Sequence, residues 1–77
     1  MRPIPIRFTQ AARRHKIGKA HVLHVMNNFD PIEMADRRYW LDEDETGRLL
    51  EIIAVVDTAK AIVIHVMPYA LREGGKP

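Results

Sequence analysis

The segment from Gly47 to Tyr69, GRLLEIIAVVDTAKAIVIHVMPY, limits the possible folds more than any other, because two long apolar runs flank a short polar stretch and read as a β-hairpin. Within its arms only Glu51 and His65 are ionisable. In the first arm the even positions Leu50, Ile52, Ala54 and Val56 are all apolar, and in the second Ile62, Ile64 and Val66 are as well. Side chains alternate across a strand, so both even sets are expected on the core face, with Glu51 and His65 on the other. Paired residue numbers must then sum to an even value. That parity predicts a three- or five-residue connection around Thr58 to Lys60. With three residues, Asp57 lies opposite Ala61, Ile53 opposite His65 and Glu51 opposite Met67, which makes Glu51 and His65 diagonal neighbours at roughly 7–8 Å between backbones. The odd face also holds Leu49, Ile53, Val55, Val63 and Met67, too much apolar surface to stand in water. A covering surface is expected: a second copy in a homodimer through the odd-numbered sheet face, a bound regulatory protein, or a ligand groove edged by His65 and Glu51.

Upstream, the periodicity changes from two to 3.6. Phe8, Ala11, Ala12 and His15 fall at helical spacing and predict a short amphipathic helix near residues 9–15, broken at Ile17-Gly18. A second helix is expected over 19–27, burying Val22, Val25, Met26 and Phe29 and turning His21, His24 and Asn28 outward. Asp30-Pro31 opens a connector to a strand near 37–41, where Tyr39 and Trp40 favour β structure. The acidic turn DEDETG closes on Gly47, expected at positive φ. The predicted fold class is α+β: two N-terminal helices packed on a three-stranded antiparallel β-meander, with strands near 37–41, 48–56 and 61–67, residues 1–77 forming a single domain.

A chain of 77 residues has room for one small core. It contains no cysteine, which removes disulfides, thiolate nucleophiles and cysteine-based zinc sites, as is ordinary in a reducing cytosol. No apolar run is long enough to span a bilayer and MRPIPIRFTQ lacks the apolar core of a signal peptide, so the expected location is the cytoplasm, without a membrane partner. The net charge of +2 conceals an uneven distribution. Residues 1–28 carry six cations and no acid, whereas residues 29–47 carry seven acids against Arg37 and Arg38. This division fits a basic surface that meets phosphate beside an acidic loop, or an acidic loop that folds back over the basic helices.

The succession of RRHKIG in a short basic helix, a second helix, an aromatic strand, GRLLEII and VIHVMPYALR resembles the small BrnT-type toxins of bacterial toxin-antitoxin pairs, within the RelE-like ribonuclease group. The likeness runs from Phe8 to Arg72. It implies a cytoplasmic toxin that cleaves RNA without a metal or cofactor, with RNA, either free or ribosome-associated, as its target and a cognate antitoxin protein as its partner. The last strand departs from the toxin pattern, which carries more arginines there. Here it reads IVIHVMPYALR and leaves His65, Tyr69 and Arg72 as its polar groups.

Metal-independent RNA cleavage uses the 2′-hydroxyl as nucleophile and needs a base, an acid for the leaving oxygen and cations for the phosphate. His65 suits acid or base work, Glu51 can orient it, Tyr69 can donate a proton, and Arg48 and Arg72 can hold the phosphate. Arg13, Arg14 and Lys16 would follow the nucleic-acid backbone, and Tyr39 or Trp40 could stack a base. Each residue also has an ordinary structural role: His65 and Glu51 as a core or interface pair, Trp40 as a half-buried strand residue, the arginines as a solvated face. His21 and His24 share a helical face, but no carboxylate stands near them in sequence, so no metal site is expected.

Overall fold

A computed structural model, which describes residues 5–57 and 59–69, shows a mixed five-stranded sheet with one helix on one of its faces. The strands are β1 (Ile6–Phe8), β2 (Ile32–Met34), β3 (Arg37–Glu43), β4 (Leu49–Val56) and β5 (Ala61–Pro68). They lie in the order β1-β5-β4-β3-β2, with β1 parallel to β5 and every other pair antiparallel. The expected α+β class holds, but the expected architecture of two helices on a three-stranded meander does not. The meander β3–β4–β5 is present at the centre, β1 and β2 are added at its edges, and only α1 (Lys19–Asn28) is a full helix.

The helix expected near residues 9–15 is replaced by β1 and a single 3₁₀ turn at Ala11–Arg13. Strand pairing wins here because Pro5 and Thr9 clamp both ends of the segment to β5: the Ala61 N–H donates to the Pro5 carbonyl at 2.9 Å and the Thr9 N–H to the Val63 carbonyl at 3.0 Å. Ile6 and Phe8 then pack against the core, while Arg7 points the other way. Thr9 Oγ1 accepts the Ala12 N–H at 3.2 Å and starts the turn, which Lys16 (φ 56) and the extended Gly18 end before α1 begins.

Helix α1 buries Val22 and Val25, as its spacing requires, with Met26 packed beside them. Phe29 leaves the stripe because the helix ends at Asn28 and the next residue is extended. Its ring is exposed, and its carbonyl accepts the indole N–H of Trp40 at 3.0 Å. Ala12, Val22, Val25, Trp40, Leu50, Ile52, Ala54, Val63 and Val66 form the core between α1 and the sheet. The opposite sheet face carries no layer among the described residues.

The even face of β4 is buried as parity demands, but β5 departs from it. Ile53 pairs with His65 and Ala54 with Val63, so Ile64 is an extra residue without a partner, a β-bulge. The odd residues Ala61 and Val63 are therefore the buried ones before the bulge, and the even residue Val66 after it. The bulge also changes the sum of paired numbers, so Val56 rather than Asp57 lies opposite Ala61 and the connection is four residues, 57–60. Asp57 braces it: its Oδ1 accepts the N–H groups of Ala59 and Lys60, each at 2.8 Å, which lowers its pKa.

The β2–β3 hairpin turns on Ala35-Asp36, and Ala35 sits at φ 55, where a Cβ is strained. No helix of the described residues is long and apolar enough to cross a membrane. Ala35→Gly removes the strain at the cost of some chain entropy, and is expected to raise stability by roughly 0.5–1 kcal/mol. A thermal melt followed by circular dichroism checks this as an increase in Tm of a few degrees.

Candidate functional site

The bulge determines where His65 points. Val63 faces the core, and strict alternation would send residue 65 to the same side. The extra Ile64 instead lets His65 emerge on the uncovered face, opposite Ile53. Glu51 lies diagonally across on β4, between Leu41 and Met67. His65 Nε2 is 2.9 Å from Glu51 Oε1, with both side chains only partly exposed. A carboxylate can only accept, so Nε2 is the donor in this contact, and in the neutral form of the ring the lone pair is on Nδ1. The pairing also holds the ring in place, as an acid–base histidine requires.

Other groups on this face follow from the strand register. Tyr39 stands opposite Ile53 on the far side from His65, and Arg37 and Arg7 flank the adjacent row through Val55 and Ile62. Neither of these arginines was expected in the site. Arg37 shares the parity of Tyr39 and could have been found that way, whereas Arg7 required knowledge of β1.

The remaining candidates lie elsewhere. Arg48 sits at the β3–β4 turn, bonded to Asp44 through Nε at 3.3 Å and Nη2 at 3.2 Å, and does not join His65. Trp40 is 5% exposed, on the core face with its N–H committed to Phe29, and presents no open ring to a base. Arg13, Arg14 and Lys16 are exposed in the layer beside α1, on the opposite side of the sheet from Glu51 and His65, and have no ion pair among the described residues. Tyr69 follows β5 directly and is half-buried, and Arg72 lies outside the described residues.

A second polar cluster joins α1 to the β3–β4 turn. The buried Asp44 accepts the Thr46 hydroxyl at 2.6 Å, the Thr46 and Arg48 N–H groups at 2.9 and 3.0 Å, and the Arg48 guanidinium. Burial alone would push its carboxyl pKa up, but these donors outweigh burial and hold it far below the usual carboxylate range. His21 Nδ1 lies 2.6 Å from Glu45 Oε2, off the line of a hydrogen bond, and 3.7 Å from Asp44 Oδ2. His21, Asp44 and Glu45 offer three ligand atoms within 4.8 Å of one another, a set that could hold a metal among the described residues. Asp44 already has both oxygens engaged by the turn and by the Arg48 cation. The cluster therefore acts as a clasp between helix and turn. In the sequence His21 is far from both carboxylates, so the contact was not expected. The acidic turn thus meets His21 and Arg48, and leaves the basic residues of the N-terminal segment exposed.

No family model, curated protein or solved structure matches this chain.

Two expectations follow from this geometry. Deleting Ile64 should leave a folded protein with modestly reduced stability, because it removes the unpaired residue and keeps both Ile53–His65 and Ala54–Val63 in register. Deleting Ile53, which is paired on both sides, should abolish cooperative unfolding, and thermal melts of the two variants make the comparison. Asp44→Asn should cost about 2–3 kcal/mol at neutral pH, because a bonded buried charge is lost. A carboxylate with a depressed folded pKa stabilises above its unfolded pKa, near 3.9, and loses that contribution as pH falls through the folded value. The gap in Tm between wild type and Asp44→Asn should therefore be full at pH 7 and shrink only below about pH 4.

Proposed function

We propose that this chain is a toxin-type, RNA-cleaving domain of a two-component toxin-antitoxin pair, with His65 and Glu51 at its reactive centre. The observation that carries this reading is the 2.9 Å contact between His65 and Glu51 on the sheet face that carries no helix among the described residues. His65 Nδ1 takes the proton from a ribose 2′-hydroxyl as that oxygen attacks the adjacent phosphorus. Glu51 holds the ring and stabilises the imidazolium that forms. The P–O5′ bond breaks as the 5′-oxygen takes a proton from water, and the products are a 2′,3′-cyclic phosphate and a new 5′-hydroxyl, with the proton on His65 returned to solvent. Arg7 and Arg37 are the cations on this face that can approach the phosphate, and Tyr39 offers a ring to a neighbouring base. The exposed Arg13, Arg14 and Lys16 extend the basic surface around the sheet edge for longer-range attraction.

The number of apolar side chains on the same face favours a second reading, a non-catalytic module that binds a protein through this face. Leu41, Ile32 and Met34 are all exposed there. The two readings separate on chemistry. Under the first, expression without a partner stops growth, purified protein cleaves RNA at neutral pH in EDTA, and His65→Ala lowers the rate at least about 100-fold. Under the second, folded wild-type protein leaves RNA intact and His65→Ala changes nothing in cells. Undegraded RNA with a folded wild-type protein would overturn the catalytic proposal.

A further inference from the structure

We infer that a second copy of this chain covers the open sheet face, with the strands of the two copies running antiparallel about a two-fold axis that crosses them at the level of Ile52. The inference is independent of any RNA chemistry, since it rests on how charge is distributed over the face. Rows of paired residues cross the sheet. One end row holds Arg7, Ile62, Val55, Arg37 and Met34, and the other end row holds Leu49 and Glu43. Between them lie Ile53, Tyr39, Leu41 and Met67 around the Glu51–His65 pair. The face is thus cationic at one end, anionic at the other and apolar between. Arg37 and Glu43 are exposed and have no ion-pair partner among the described residues.

A face-to-face pair about an axis along the strands would set each Glu51 against its own copy and leave Arg37 over Ile62 of the partner subunit. About an axis across the strands, each strand lies over its own copy reversed. Arg37 then meets Glu43 of the partner subunit, Val55 meets Leu49 of the partner subunit and Tyr39 meets Leu41 of the partner subunit. The two Arg37–Glu43 contacts join opposite charges, and the Val55–Leu49 and Tyr39–Leu41 contacts join largely apolar groups. Glu51 lies over Ile53 of the partner subunit, His65 lies over Met67 of the partner subunit, and Arg7 at the sheet edge stays outside the pairing. The self-complementarity of the two-fold interface is carried by the Arg37 and Glu43 pairs and the apolar rows between them. Sheets packed in this way lie about 10 Å apart and roughly 30° from aligned, an offset the long Arg37 and Glu43 side chains can bridge. Four rows on five strands span roughly 20 Å each way, the size of a small interface, so a dimer of micromolar affinity is expected. In that dimer the Glu51–His65 pair is enclosed, and the working face opens only when the copies separate.

Sedimentation velocity on the full chain, across a concentration series, tests the arrangement. Wild type should pass from monomer to dimer in the micromolar range. Arg37→Glu should weaken the dimer at least tenfold, and adding Glu43→Arg to that variant should restore it, since the reversed pair meets again across the axis. Circular dichroism confirms that each variant is folded, and Val55→Asp gives a second, apolar disruption of the same row. A wild-type monomer at several hundred micromolar overturns the inference, as does a dimer that survives both Arg37→Glu and Val55→Asp, or a double charge reversal that fails to recover assembly. Retained dimerisation in a protein that cleaves no RNA would leave this inference standing while the proposed function falls.

Discussion

The structure depends on one irregularity in the β4–β5 ladder, the unpaired Ile64. A hairpin with uniform parity could bury Ile62, Ile64 and Val66 or Ala61 and Val63, but not Val63 together with Val66. The bulge lets β5 bury Ala61, Val63 and Val66 on the helix side of the sheet, with the 3₁₀ turn at Ala11–Arg13 against it, while the larger Ile62 and Ile64 stay only partly covered. The same irregularity turns His65 out toward Glu51. Packing on one face and the Glu51–His65 pair on the other are two results of one extra residue.

Asp44 secures the other end of the meander. Its carboxylate gathers the β3–β4 turn around itself, and Glu45 beside it reaches His21 on α1. The helix therefore meets the turn at His21, in its first turn, and is held to the sheet along its length by Val22 and Val25. Because Arg48 is consumed in this clasp, it is withheld from the open face, and the cations near His65 must come from Arg7 and Arg37. The polar contacts are divided by layer: those of Asp44, Glu45, His21 and Arg48 lie on the helix side or at the turn, and the Glu51–His65 pair lies on the open side.

How much of this was legible in the sequence depended on the range of the interaction involved. The long arms of β4 and β5, the facing of Glu51 and His65, the pairings of Ile53 with His65 and Glu51 with Met67, the buried stripe of α1 and the positive φ of Gly47 all follow from local alternation or turn chemistry. The bulge escaped because an apolar strand gives no local sign of which residue is extra: Val63 and Ile64 are equally good on either face. Strand β1 escaped because its end overlaps a helical pattern and its pairing is decided by β5, far off in sequence; β2 escaped because three residues inside a connector give too little alternation to mark a strand. Phe8 illustrates the conflict, since it completes a helical stripe with Ala11 and Ala12 yet sits in β1. Arg48 was assigned to phosphate because its buried partner Asp44 sits in an acidic run that reads as a solvated turn.

Cross-strand backbone contacts measured by nuclear Overhauser effects test the central claim most directly. A bulge at Ile64 predicts contacts between Ile53 and His65 and between Ala54 and Val63, with Ile64 lacking a partner on β4. Contacts that continue as Ala54 with Ile64 and Val55 with Val63 would mean an unbroken ladder with Val63 turned out of the core, and would contradict both the packing and the route by which His65 reaches Glu51.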